Sequence, residues 1–79
     1  MKEKEFNGDL IAARIRALRK EEGISTLRFT SAIGASKNSV VIHWETGRNI
    51  PSSYFIFQIA STFGVSADWL LGLTDERRA

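Results

Sequence analysis

The chain has no cysteine, a single histidine and no long apolar run, and each absence removes a class of protein. Without cysteine there is neither a disulfide framework nor a thiolate metal site, so packing must hold the fold together. The lone His43 cannot make a zinc site by itself. No segment approaches the roughly 20 apolar residues that span a bilayer, and KEKE near the N-terminus is the wrong chemistry for a secretory signal. A cytoplasmic protein with no membrane segment, no metal and no cofactor is expected. An enzyme is disfavoured, because one His, no Cys and serines spent on helix starts leave no nucleophile, base and orienter. Charge is also nearly balanced: 11 basic against 9 acidic residues give a net charge of +2, with an isoelectric point near 9.4. That favours an anionic partner only weakly, so where the charges lie matters more than their sum.

What is present is a succession of short amphipathic segments, each opened by a small polar residue and closed by glycine. At 79 residues they make one small domain with a modest core. Asp9 can cap a first helix of about residues 9 to 22, with Leu10, Ile11, Ile15 and Leu18 at helical spacing and Gly23 at its end. Ser25 or Thr26 opens a second through Leu27, Phe29, Ala32 and Ile33, which stops at Gly34. Ser36 caps a third carrying Val40, Val41 and Trp44, ended by Gly47 before Asn49 and Pro51. A fourth begins at Ser52 or Ser53, shows Ile56, Ile59, Ala60 and Phe63 on one face, and closes at Gly64. Ser66 caps a fifth, with Asp68 in its first turn, where the helix dipole favours an anion, and Trp69, Leu70 and Leu71 behind it. Only residues 40–42 form a β-branched run, and no hairpin signal accompanies them.

Helices this short are marginal alone and must bury their stripes against one another. The expected core is Ile15, Leu18, Ile24, Phe29, Ile33, Val41, Trp44, Ile56, Ile59, Ala60, Phe63, Val65, Trp69 and Leu70. The most informative stretch is residues 24–51, two short helices around a glycine turn, the second with a short-polar start. That geometry is used to enter the major groove of DNA. There a helix needs short or flexible hydrogen-bonding residues over its first two turns, and Lys37, Asn38, Ser39, Ile42 and His43 occupy them. Asn can bond adenine bidentately, Lys can donate to guanine, and Ile can press on a thymine methyl. Taken alone, SKNS reads better as a solvated helix start, and Ile42 equally well as a packing residue; only placement after a turn favours the contact reading. Phosphate contacts are expected at Ser25 and Thr26, at a helix N-terminus, and at Arg28, Arg48 and Asn49 on either side.

The order RIRALRKEEGIS, a helix ending in IG, a Ser-opened helix ending in WETGRNIPS, then QIASTFGVSADWLLG resembles the Cro/C1-type (XRE-like) helix-turn-helix family of phage repressors and bacterial transcriptional regulators. The resemblance covers residues 10–74; GVSADWLLG and the WE-x-G-R-x-x-P segment are its more specific parts. It implies an all-α, compact five-helix, lambda-repressor-like domain at 9–74, with an N-terminal tail at 1–8 and a C-terminal tail at 75–79. It also implies sequence-specific binding of double-stranded DNA as a homodimer, as a repressor on a palindromic operator, with the third helix in the major groove. The family often pairs an Arg late in helix 1 with the Glu after the aromatic residue of helix 3, here Arg19 and Glu45, as a structural ion pair. Arg14, Arg16 and Lys20 then read as a mixed solvated face with Glu21 and Glu22.

The chain departs from the family pattern in three places. Thr26 stands where a Gln is usual and Thr30 where a small residue is usual. Nine residues, 35–43, separate Gly34 from Trp44, one more than the pattern has. If the extra residue lies in the turn, Lys37 falls outside the helix; if it lies within the helix, a different face is presented. Tyr54, Phe57, Leu71 and Leu73 remain as surplus apolar residues and are the candidate dimer contacts. A two-fold dimer would set two reading helices about 34 Å apart. The residues after Thr74 read as a frayed end. A second function class stays open on the same fold: an antitoxin-like or other protein-interaction module with a protein partner.

Overall fold

In the computed structural model, which describes residues 4–78, five helices follow in order: α1 (Gly8–Glu21), α2 (Thr26–Ala32), α3 (Asn38–Glu45), α4 (Ser53–Phe63) and α5 (Ala67–Leu71). Among the described residues there is no strand. Residues 1–3 of the expected N-terminal tail and residue 79 of the C-terminal tail lie outside the described residues.

Side-chain caps set most of the starts. Ser25, Ser52 and Ser66 accept the N–H groups of Arg28, Phe55 and Trp69 at 3.1, 3.3 and 3.2 Å, each satisfying one donor that a helix start leaves free. Two expected caps are corrected. α1 is capped by Asn7, whose Oδ1 accepts the Leu10 N–H at 3.1 Å, and Asp9 lies inside the first turn, where its charge suits the dipole. α3 starts after Lys37 rather than Ser36, and no side chain bonds its first turn.

The core gathers one stripe from each helix. Ile11, Ile15 and Leu18 of α1, Phe29 of α2, Val41 and Trp44 of α3, Ile56 and Ile59 of α4, and Trp69 and Leu70 of α5 are buried around Ile33 and Val65. The Phe29 ring stacks on Phe63 at 5.0 Å between centroids, and Trp44 tilts against Phe55 at 5.2 Å. Ile24, Ala60 and Phe63, expected inside, pack against this cluster half-buried. Ile11 sits one turn before Ile15 on the same face and completes the α1 stripe. Leu27, by contrast, is 64% exposed. With Phe29 and Ile33 facing inward one turn apart, a residue two before Phe29 falls on the opposite side of α2.

The segment after α5 is not frayed through residue 78. It doubles back along α5: the Ser66 N–H donates to the Arg77 carbonyl at 2.8 Å. Arg78 donates to the Phe63 and Gly64 carbonyls at 2.9 and 2.7 Å, occupying acceptors that the end of α4 leaves open. Arg77 pairs with Glu21, and Arg14 pairs with Asp75 at 3.0 Å while donating to the carbonyls of Trp69 and Thr74. Both guanidinium groups lie about one ring-stacking distance from Trp69, at 5.1 Å for Arg14 and 5.0 Å for Arg77. Arg14 is therefore a structural residue and not part of a solvated face. Truncation after Gly72 is expected to lower the melting temperature by about 4 °C or more, read by circular dichroism, because more than one net hydrogen bond is lost in a small domain.

Candidate nucleic-acid interface

Residues 24–51 fold as two helices whose ends are fixed by backbone geometry. At the end of α2, the Gly34 N–H donates to the Ser31 carbonyl at 3.2 Å and the Ala35 N–H to the Thr30 carbonyl at 3.0 Å. This paired closure needs a left-handed residue, and Gly34 supplies it with φ +76°. The same closure recurs after α3: Gly47 (φ +77°) donates to Trp44 at 3.2 Å and Arg48 to His43 at 2.9 Å. Thr30 is buried between these elements at 4% exposure, and its hydroxyl donates to the Thr26 carbonyl at 2.7 Å. A polar residue is tolerated there because that bond is internal to α2.

Lys37 is the N-cap of α3 and lies outside the helix. That is the placement expected if the extra residue lies in the turn: residues 33–37 separate the two helices and α3 begins at Asn38, six residues before Trp44. Val41, Trp44 and Glu45 turn inward. Ser39 and Ile42 are exposed and His43 half-buried, so at spacings of three and four they share the outer face. Thr46 continues that face one turn on, and its hydroxyl is turned back to the Ile42 carbonyl at 3.0 Å. The sequence signal for Thr46 was present, seven residues after Ser39. Asn38 is half-buried and its amide oxygen is enclosed without a partner.

The flanking candidates lie on the surface. Ser25 is exposed and uses its hydroxyl as a cap, Thr26 is half-buried, and Arg28, Arg48 and Asn49 are exposed. Charge is concentrated here. Residues 24–51 hold Arg28, Lys37 and Arg48 against one acid, Glu45, while the rest of the chain balances at eight basic and eight acidic residues. None of the three cations is in an ion pair among the described residues.

Glu45 does not reduce this positive surface, because α1 neutralises it in the interior. Only 6% exposed, its carboxylate accepts Arg19 Nε at 2.6 Å and Arg19 Nη2 at 3.0 Å, a two-pronged bond of the strong kind. Arg19 also donates to the Ile24 carbonyl at 3.1 Å, and Arg16 Nη1 donates to the Glu45 carbonyl at 3.0 Å. The Glu45 bond holds the Arg19 pKa above its ordinary value; burial opposes this and Coulomb attraction to the same carboxylate adds to it. Arg16, read from sequence as solvated, is thus engaged with α3, and Gln58 of α4 donates to the Ile33 carbonyl at 3.2 Å. Neither signal was visible in the sequence, since both acceptors are backbone atoms.

The candidate dimer residues line two clefts or lie exposed. Phe57, 64% exposed, lines a shallow cleft between α4 and α5 with Ile56, Ala60, Val65 and Ala67. Leu71 and Leu73 line another with Phe6, and Tyr54 is exposed with its ring edge on Phe55 at 5.0 Å. Among the described residues no cluster of His, Cys, Asp or Glu could hold a metal, and no helix is long and apolar enough to cross a membrane.

Comparison with known proteins agrees with this geometry. A helix-turn-helix family model matches residues 15–70. Among solved structures, the P22 c2 repressor in complex with a synthetic operator is similar at TM-score 0.73 and 29% identity, over 78% of this chain and 92% of that one. The solution structure of the P22 c2 repressor DNA-binding domain is similar at TM-score 0.72 and 29% identity, over 82% and 84%. A hypothetical transcription factor from Neisseria, NHTF, shares the fold at TM-score 0.73 with 22% identity, over 90% and 86%. No curated protein sequence matches.

Removing one partner of the buried pair leaves the other charge uncompensated. Glu45→Ala or Arg19→Met is expected to destabilise the domain by about 3 to 5 kcal/mol in urea unfolding, and Arg19→Met with Glu45→Leu by clearly less than the sum.

Proposed function

The chain belongs to the Cro/C1-type helix-turn-helix family of DNA-binding transcription regulators, and on that premise we propose that it is a repressor. It acts by occupying a palindromic operator as a homodimer in the cytoplasm, through binding rather than chemistry. The observation that carries this reading is the outer face of α3, held from behind by the buried Arg19–Glu45 pair and flanked by three cations that form no ion pair among the described residues. The P22 c2 repressor, with which the chain shares fold and 29% identity, is itself in complex with an operator.

In this reading Lys37 leads into the major groove from the N-cap, while Ser39, Ile42 and His43 meet base edges over the next turn and a half. Asn38 takes part by rotating outward. Its buried amide oxygen has no partner, so turning it to adenine relieves an unsatisfied group as it makes a contact. Arg28 and Arg48, with Ser25, Thr26 and Asn49, meet phosphates on the two sides and set the register without reading sequence. Tyr54, Phe57, Leu71 and Leu73 are the surfaces offered to the second copy.

Selection from a random duplex library is expected to enrich a short palindrome, with affinity falling steeply as salt rises. No enriched sequence, with folded protein at moderate salt, would contradict the regulator reading. Lys37→Ala and Asn38→Ala should each weaken binding to the enriched site by about 1 to 3 kcal/mol without lowering the melting temperature. Arg48→Ala should weaken binding to all duplexes and reduce the salt slope by about 1.

A further inference from the structure

The two ends of α3 are held in different ways. Its C-terminal end is gripped by α1: Arg19 takes the Glu45 carboxylate, and Arg16 takes the Glu45 carbonyl at 3.0 Å, where the helix dipole favours a cation. Its N-terminal end has no side-chain cap, and a non-helical stretch of five residues, 33–37, leads to it. Among the described residues, one side chain from outside the helix-turn-helix bonds the backbone between Ile33 and Asn38. That side chain is Gln58 of α4, whose Nε2 donates to the Ile33 carbonyl at 3.2 Å, at the last residue before Gly34.

We propose that Gln58 and Arg16 are positioning residues that fix the pose of α3 from behind, so that discrimination between DNA sequences depends on two side chains that do not touch the bases. The inference rests on α3 being the reading helix. The five-residue turn leaves rotatable backbone between α2 and α3, and without a cap that freedom passes directly to Lys37 and Asn38. Gln58 removes it at the turn's first carbonyl. Arg16 acts at the far end, where its bond to a backbone atom fixes the axial position of α3 independently of the Glu45 carboxylate. Base recognition tolerates displacements of only about half an ångström, so loss of either hold reads out as lost discrimination before it reads out as lost folding.

The test compares wild type, Gln58→Met, Arg16→Met and Arg16→Lys on the duplex enriched from the library and on an unrelated duplex, across salt, with melting temperatures measured alongside. Gln58→Met keeps length and burial but has no donor; Arg16→Lys keeps a donor and a charge. The expected result is a drop of about tenfold in the ratio of specific to non-specific affinity for both Met variants, the size of one lost hydrogen bond. Non-specific affinity and salt slope should not change, melting should stay well above the assay temperature, and Arg16→Lys should recover part of the ratio. An unchanged ratio in Gln58→Met, with wild type discriminating normally, would overturn the proposal while leaving the DNA reading intact. A salt slope reduced by about 1 in Arg16→Met would likewise overturn it for Arg16, marking a phosphate contact. Wild type that discriminates no sequence would remove the DNA reading and this proposal with it.

Discussion

A carboxylate buried at the end of α3 is the constraint on which the rest of the structure depends. Glu45 follows Trp44, which is itself part of the core, and is only 6% exposed. A charge in that position must be matched, and Arg19 matches it with both prongs of its guanidinium. Once α1 carries the matching group, the relation of α1 to α3 is fixed, and with it the face that α3 turns outward. The hydrophobic stripe of α1 and the Arg16 bond to the Glu45 carbonyl then agree with the same placement.

The pair also shapes the electrostatics of the surface. Glu45 is the one acid in residues 24–51, and its neutralisation inside the domain leaves Arg28, Lys37 and Arg48 as exposed cations without an acidic neighbour in that stretch. A chain of nearly balanced overall charge can thus present a positive side. The remaining arginines serve the fold: Arg14, Arg77 and Arg78 fasten the C-terminal segment to α1, α4 and α5.

Much of the fold was legible in the sequence because caps and stops are local. Ser25, Ser52 and Ser66 each bond within three residues, and Gly34, Gly47 and Gly64 each take the left-handed conformation that ends a helix. The core was legible through spacing, with Ile11, one turn before Ile15, the buried residue left out of the expected set. What was not legible involved competition or distance. Asn7 and Asp9 are both good caps two residues apart, and only the backbone chooses. Ser36 is a good cap by residue type, but the helix begins one residue later, with Lys37 at the cap position. The docking of Arg77 and Arg78, and the bonds from Arg16 and Gln58, all end on backbone carbonyls or on partners more than ten residues away, for which sequence has no pattern. At the candidate site, Ser39 and Ile42 were named in advance and are exposed on α3, whereas Lys37 lies outside the helix, Asn38 has its amide oxygen enclosed, and exposed Thr46 was not named.

The central claim is that the outer face of α3, set by its attachment to α1, is the surface that meets DNA. Its most direct test is a nuclear magnetic resonance titration of the isotopically labelled protein with its enriched duplex, mapping backbone shifts and contacts between protein and DNA protons. The account predicts shifts concentrated at residues 25–28 and 36–49, with the Ile42 methyl groups in contact with base protons. Shifts centred on the α4–α5 cleft around Phe57, or on Phe6 and Leu73, with α3 unmoved, would contradict it.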